Sequence, residues 1–311
     1  METTDTRNLM ERDLLVMNDR LKSLGIAGGY YPLLTCDSTN NVLKKLSQKI
    51  IARESLPDNP STDTPVVDSQ EFFFQGMTPD ALPFVVTSEE QTAGRGRHAN
   101  TWWTGLGALA FSMLLDAKQH GLKPQTAALL SLGIGFAAMQ ALRAIVREDV
   151  LAGSKIDSEN RIDAIPNIEI RWPNDVYVNE RKVIGILIEA PNMRHIVIGI
   201  GVNSNNSAKD APGEIREKIV TLRDVFGKEI DQDRLIFLLC REIMEILKYF
   251  PEQLPQFIKV VEATLYQVGK IVNISREYEQ ITGLCLGLNP DGSLRVLTET
   301  GEKAVMSGVA V

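Results

Sequence analysis

Apolar residues recur along this chain with two periods, one near 3.6 and one of 2, and the switches between them mark its elements. At helical spacing, Leu14, Leu15, Met17, Leu21 and Leu24 predict a weakly amphipathic helix over 9–24 that stops at Gly25. Val42, Leu43, Leu46 and Ile50 predict a second over 41–53, entered through Asp37-Ser38-Thr39-Asn40, which offers several residues able to cap it. Leu235, Leu238, Leu239, Ile243, Ile246 and Leu247 predict a third over 231–250 and read as core. Strand-like runs fall at 82–87, 108–115, 176–178, 183–189 and 195–202. The last three are joined by short turns at Asn179-Glu180 and Pro191-Asn192 and so predict an antiparallel meander. Beyond Val268 the pattern shortens, with strands expected at 271–274, 281–288, 294–298 and 304–306 and turns at Asn289-Pro290-Asp291-Gly292 and Thr300-Gly301. About forty residues of this kind form a domain too small to stand without docking on a larger one.

Two stretches depart from the pattern. Residues 55–83 are rich in Pro, Asp, Ser and Thr and exceed the usual connection of about 4–6 residues, so they read as a surface insertion. Phe72-Phe73-Phe74 is too apolar for a solvated linker, and part of the insertion is expected to pack back or to add a strand. The second stretch, 125–141, carries no charge. A membrane span needs about twenty predominantly apolar residues. Gln125, Thr126, Ser131 and Gln140 interrupt this run, and its alanines and glycines predict instead a buried helix packed closely on a sheet.

Composition narrows the class. At 311 residues, 44% hydrophobic and 23% charged, the chain has room for one large domain and a small one. A net charge of -7 and a pI near 5.2 lack the basic footprint that non-specific nucleic-acid binding needs, so any basic site is local. Cys36, Cys240 and Cys285 make no CxxC pair, which points to neither a zinc knuckle nor a disulfide framework and suggests a reducing compartment. Met1-Glu2-Thr3-Thr4-Asp5 has no basic region before an apolar core; no signal peptide is expected, and the cytoplasm is the expected location. His98, His120 and His195 have no metal-ligand spacing.

The chemistry concentrates in Gln91-Thr92-Ala93-Gly94-Arg95-Gly96-Arg97-His98-Ala99-Asn100-Thr101-Trp102, directly after a strand. Glycine removes the Cβ that keeps backbone N–H groups from a ligand, and each guanidinium offers a fixed fork of donors for carboxylate or phosphate. A solvated loop or a nucleic-acid arm would have the same composition. Gly94-x-Gly96-x-x-Ala99 also satisfies the loose dinucleotide fingerprint, but residues 100–105 do not read as the helix start that fingerprint requires. Further on stand Arg171-Trp172-Pro173-Asn174-Asp175, then Arg181-Lys182-Val183-Ile184-Gly185-Ile186-Leu187, then Gly199-Ile200-Gly201-Val202-Asn203. Gly185 and Gly201 interrupt strands, marking close approach by another group or else a bulge or tight sheet packing.

In this order these motifs resemble the catalytic domain of biotin protein ligases, with a GRGR loop, a KWPND strand, an RKxxGIL strand and a GxGxN strand. The resemblance covers roughly residues 31–311 apart from the insertion. It implies an α+β fold, a mixed and largely antiparallel sheet with helices of the class II synthetase kind, and a small SH3-like C-terminal barrel. The implied divisions are an N-terminal helical extension at 1–30, a catalytic domain at 31–266 and the C-terminal domain at 267–311. The first is too short for the winged-helix DNA-binding module of the repressor-type members, so a ligase without repressor function is expected.

The resemblance further implies that biotin attacks the α-phosphorus of ATP, with Mg²⁺, to give biotinyl-5′-adenylate, and that a lysine of a biotin carboxyl carrier protein then takes the biotinyl group. No nucleic acid or membrane partner is implied, and a homodimer is left open. On the matching positions, Arg171, Arg97, Lys182 and Asp175 are the catalytic candidates, with Asp175 also the candidate metal ligand. Ser38, Thr39, Asn40, Gln91, Gly94, Arg95, Trp102, Gly185 and Gly201 fall at the biotin end. Arg97, Asn100, Trp102, Asn174, Lys182 and Asn203 fall at the nucleotide. The chain departs from the family in having Arg171 where lysine is usual. A planar fork in place of a point charge leaves a slow or degenerate biotin-binding form as an alternative, with a lipoate or octanoate ligase behind it.

Overall fold

A computed structural model describes residues 13–54, 82–97, 100–123, 127–152, 166–250, 254–275, 279–306 and 308–310. Apart from Leu82 and Pro83, the expected insertion and its three phenylalanines lie outside the described residues.

Seven strands make the main sheet: β1 Gly29–Cys36, β2 Phe84–Gln91, β3 Leu109–Asp116, β4 Ile168–Arg171, β5 Asp175–Val178, β6 Arg181–Glu189 and β7 His195–Val202. Their order is β1-β2-β3-β7-β6-β5-β4. Only β1 and β2 run parallel; the other neighbours are antiparallel, and β5-β6-β7 form the expected meander. At its first turn Asn179 and Glu180 take φ of 47° and 64°, the left-handed pair that suits a tight hairpin between twisted strands. The Trp172-Pro173-Asn174 segment, expected as part of a strand, is instead the turn between β4 and β5.

Helix α1 covers residues 13–22, α2 Thr39–Glu54, α3 Ala127–Ala152, α4 Gly213–Arg216, α5 Leu222–Phe226, α6 Gln232–Leu247 and α7 Leu254–Glu262. In α1, Met17 and Leu21 are buried, whereas Leu15, expected on the apolar face, is exposed. The uncharged stretch forms α3, the one described helix long and apolar enough to cross a membrane, and most of it is buried in the fold. Gly133 makes that burial tight, since a Cβ there would come within 3.2 Å of Ile246 and 3.3 Å of Phe257.

The sheet's two faces differ, because successive strand residues point to opposite sides. Met113, Leu115, Ile196, Ile198 and Ile200 join the large core under α3 and α6. Leu114 and Val197 join a smaller core with Val42, Leu43, Leu46 and Ile50 of α2. Since α2 starts only at Thr39, no described helix covers the rest of that second face, and there β7 and β6 carry Gly199, Gly201 and Gly185. The cavity described below lies on this part of the face.

The chain ends in a five-stranded antiparallel sheet of β8 Ile271–Ser275, β9 Gln280–Leu288, β10 Leu294–Thr298, β11 Gly301–Val305 and β12 Val309–Ala310, in the order β11-β10-β9-β8-β12. It docks as expected: Trp172 Nε1 donates to Gly292 O at 3.2 Å, and Leu288 N donates to Glu262 Oε2 at 2.6 Å. All three cysteines are free and buried.

Candidate active site

A cavity of about 330 Å³ opens between the N-terminus of α2, the Gly-Arg loop and the glycine-bearing face of the sheet. Ser38, Thr39, Asn40, Gln91, Arg95, Arg97, Asn100, Trp102, Arg171, Asn174, Asp175, Lys182, Gly185 and Gly201 all line it, although the first and last stand more than 160 residues apart. Gly94 and Asn203 do not. Gly94 accepts the amide of Trp102 at 3.0 Å, and the buried Asn203 takes the side-chain amide of Asn206 at 3.2 Å.

The α2 end of the cavity is a buried polar network. The first amide of α2, on Thr39, donates to Gln91 Oε1 at 2.9 Å, and Gln91 Nε2 donates to Thr104 at 3.1 Å. The cap comes from a strand end fifty-two residues on, whereas the residues beside the helix were expected to supply it. Ser112 lies 2.7 Å from both Thr39 Oγ1 and Asn40 Oδ1. The Ser112 hydroxyl donates toward both oxygens, and the Thr39 hydroxyl in turn donates to Gln91 Oε1 at 3.3 Å. Asn40 presses on Gly199 so closely that a Cβ there would collide with its amide.

Asn40 Nδ2 donates to Glu189 Oε2 at 2.9 Å, and the same carboxylate pairs with Lys44 and Arg95, each at 3.0 Å. Burial raises the Glu189 pKa, but the hydrogen bonds from Asn40 and Lys44 and the charges of Lys44 and Arg95 outweigh it and hold the group below its ordinary value. Arg95 also reaches Asn41 Oδ1 at 3.0 Å. Its fork is thus committed to the helix and to Glu189, and it is more exposed than Arg97.

Trp102 forms the centre of the cavity. Gly185 and Gly201 are direct cross-strand partners, and the indole lies across both. A Cβ on Gly185 would come 2.8 Å from Trp102 Cζ3, and one on Gly201 would fall inside the indole. The group that approaches these two glycines is therefore this tryptophan. Trp103 packs instead against Gly105 and stays out of the cavity.

At the far end, Lys182 Nζ pairs with Asp175 Oδ2 at 2.8 Å and lies 5.6 Å from the Trp102 ring centre. Arg171 pairs with Glu169 at 3.3 Å. Arg97 alone of the four expected cations has no ion-pair partner among the described residues; Nη1 reaches Asn174 Oδ1 at 3.5 Å. Burial pushes its pKa down, against the pull of Asp175. Three atoms that line or enter this space are buried without a hydrogen-bond partner among the described residues: the donors Trp102 Nε1 and Arg171 Nε, and the acceptor Asp175 Oδ1. Burying such groups unpaired costs about 1–3 kcal/mol each, so the cavity is built for a polar ligand.

Asp175 Oδ1 also bears on a metal. No group of three or more His, Cys, Asp or Glu among the described residues could hold one unaided. Mg²⁺ commonly takes one or two carboxylates and completes its shell with water and substrate phosphates, and a single uncommitted carboxylate oxygen fits that habit.

Gly199, Ser112, Thr104, Glu189 and Tyr177 belong to the site but were not among the expected residues. Gly199 stands inside a quoted motif and was legible there, and Glu189 ends the same strand-like run as Gly185; Ser112 and Thr104 carry no local signal.

Comparisons with known proteins give the following. The model of the Biotin/lipoate A/B protein ligase family matches residues 60–203, and that of the Biotin protein ligase C terminal domain matches 268–311, together more than half of the chain. The Bifunctional ligase/repressor BirA of Bacillus spizizenii is 27% identical over 72% of this chain and 64% of its own length, so the chain spans less than two thirds of that relative. The Biotin--[acetyl-CoA-carboxylase] ligase of Mycobacterium tuberculosis is 25% identical over 70% of this chain and 77% of its own. The biotin protein ligase of Aquifex aeolicus, solved in complex with biotin and ATP, superposes with a TM-score of 0.64 at 27% identity, over 91% of this chain and 97% of that one.

Proposed function

We propose that this protein, which belongs to the biotin protein ligase family, is an ATP-dependent ligase that makes biotinyl-5′-adenylate and transfers biotin to one lysine of a biotin carboxyl carrier protein. The observation that carries this reading is the set of partnerless polar atoms around one cavity, two donors and one acceptor, set among arginines and a lysine. A carboxylate and a triphosphate brought together need buried donors and cations, and preorganised ones are most effective where water is excluded.

In this reading the ureido end of biotin lies against Ser38, Thr39, Asn40 and Gln91, the last three held in place by their own hydrogen bonds. Trp102 gives the thiophane ring an apolar plate. The biotin carboxylate then reaches the α-phosphorus beside Arg171 and Lys182, the oxygen–phosphorus bond forms, and pyrophosphate leaves with its electron pair. Lys182, held by Asp175, faces the phosphates; Arg97, which pairs with no carboxylate among the described residues, retains the adenylate; Asn100 and Asn174 serve the nucleotide. Bound Mg²⁺, held by Asp175, would offset charge on the phosphates. In the second step the acceptor amine attacks the acyl carbon, and AMP departs. Residues 31–266 form the catalytic unit in this reading, 267–311 a unit docked on it, and the cytoplasm is its compartment.

The test is a mass measurement of a biotin carboxyl carrier domain after incubation with this protein, ATP, Mg²⁺ and biotin. One biotinyl group added to one lysine, dependent on all three small components, is the expected result. An unchanged acceptor mass together with tight biotin binding would replace this reading with that of a non-enzymatic biotin binder.

A further inference from the structure

Arg171 is the residue at which this chain departs from its family's motif, and its surroundings are specific to a guanidinium. The Cζ atom lies 4.0 Å from the centre of the Tyr177 ring and 3.9 Å from that of Tyr266, while Nη2 donates to Glu169 at 3.3 Å. Tyr177 and Glu169 are cross-strand partners on β5 and β4, and so hold places fixed by the sheet. Tyr266 does not belong to the sheet.

It reaches Arg171 because the chain after α7 runs along the free edge of β4. Ile170 N donates to Thr264 O at 3.2 Å and Tyr266 N donates to Ile170 O at 2.9 Å, a parallel bridge on the outermost strand. One residue on, the side-chain amide of buried Gln267 receives Trp172 N at 3.1 Å and donates to Trp172 O at 3.3 Å. The segment joining the two sheets is thus stitched to both sides of Arg171. Lys270 Nζ lies 3.1 Å from the Tyr266 ring centre. Two cations at such distances cannot share one face of a ring, so Tyr177, Arg171, Tyr266 and Lys270 form a column alternating ring and cation.

We propose that Tyr266 is a positioning residue that fixes the guanidinium of Arg171 between two rings, leaving Nε–H as the donor aimed at the anionic substrate. A flat guanidinium stacks on both faces, whereas a lysine ammonium has no plane to stack. With Nη2 on Glu169 and both faces covered, Nε is buried and has no hydrogen-bond partner among the described residues. The arginine is therefore adapted to its cradle. This inference rests on the use of Arg171 in adenylation proposed above.

Two measurements separate the two claims. The Arg171 ¹Hε–¹⁵Nε resonance, assigned by its loss in Arg171→Lys, is expected upfield through ring currents and to move toward the free-arginine position in Tyr266→Leu, while Tyr266→Phe retains it. Tyr266→Met, whose side chain also fills apolar space, is measured alongside so that a folding defect in one truncation does not decide the outcome. An unmoved resonance in either folded truncation overturns the positioning role. Biotin-dependent ATP–pyrophosphate exchange is then followed in Tyr266→Leu, Arg171→Ala and the double variant. The loss from Tyr266→Leu is expected to be about tenfold and to vanish in the Arg171→Ala background. Equal losses in both backgrounds would make Tyr266 merely structural. A displaced resonance with normal exchange in Arg171→Ala would instead refute the role given to Arg171.

Discussion

Trp102 lies across Gly201 with no room between them for a methyl group. Glycine in a strand interior is a cost to the sheet, and here Gly185 beside it doubles that cost so that one indole can lie against the backbone. Gly201→Ala is expected to displace Trp102, lower stability by about 1–3 kcal/mol and weaken biotin binding at least about tenfold. Calorimetric titration with biotin, beside a thermal melt, checks it; wild-type affinity in a folded Gly201→Ala protein would remove Trp102 from the biotin end.

Arg97 is half-buried and pairs with no carboxylate among the described residues, so its charge is available to an anion. Arg97→Gly is expected to keep adenylate synthesis measurable and to release the intermediate, which then labels lysines at large. Mass mapping of modified lysines on a bystander protein reads this out. Labelling confined to the acceptor lysine, merely slower, would rule out retention as the function of Arg97.

Asp175 holds Lys182 with one oxygen and leaves the other without a partner among the described residues. In Asp175→Asn the Mg²⁺ concentration for half-maximal adenylation should rise about tenfold or more, because a neutral amide is a poor ligand for a hard cation. Titration with Mg²⁺ under saturating ATP and biotin decides it. An unchanged midpoint would place the metal on substrate phosphates alone.

Arg171→Lys restores the residue usual in the family yet removes the stacked plane between Tyr177 and Tyr266. We expect adenylation to slow by at least about tenfold, equal to about 1.4 kcal/mol of transition-state stabilisation. Single-turnover formation of biotinyl-adenylate measures it, and a faster lysine variant would mark Arg171 as drift toward a weakened enzyme.

Burial lowers the pKa of His195 below its ordinary 6.5, helped by Arg194 and opposed by Asp116 and Glu54, and burial also lowers that of His120 against Asp116. Both are favoured neutral in the fold. Above about pH 6.5 neither state binds the extra proton; below it the unfolded chain does and the folded one does not, so stability falls as pH drops until the folded values are reached. Urea midpoints at about pH 7.5 and 5.5 should show the decline, with a shallower slope in His195→Asn. A flat profile would contradict it. Glu189 and Asp116, both held below their ordinary values of 4.5 and 3.8, act only in more acid solution.

The sequence was most informative where side-chain alternation sets the structure. The meander of β5, β6 and β7 follows from its alternation and its Asn179-Glu180 turn, and fourteen expected site residues line one cavity, contributed by the start of α2, the end of β2 and its Gly-Arg loop, and β4 to β7. Strand β1 escaped notice because Tyr30-Tyr31-Pro32-Leu33-Leu34 does not alternate, and its edge position tolerates the proline. Helix α7 is short and has Pro255 at its second position, which reads as a break although a proline in the first turn lacks only an amide the helix would leave unpaired. The Gln91 cap on α2 and the Ser112 contact with Asn40 join residues 52 and 72 positions apart. No local pattern encodes such pairings; they exist only once β2 and β3 pass beneath the helix start.

The amides of Thr92 and Ala93 donate to Cys36 O and Asp37 O, each at 2.9 Å, so the ladder between β1 and β2 continues beyond the strands. From Gly94 onward the chain closes on itself instead: Trp102 N donates to Gly94 O at 3.0 Å, Gly96 N donates to Asn100 O at 2.8 Å, and Arg95 bridges Thr101. Arg95, Arg97 and Trp102 therefore stand on one loop whose ends are closed by its own backbone, so the seat of the indole on its glycines and the places of both arginines are set together. One loop thus serves both ends of the cavity.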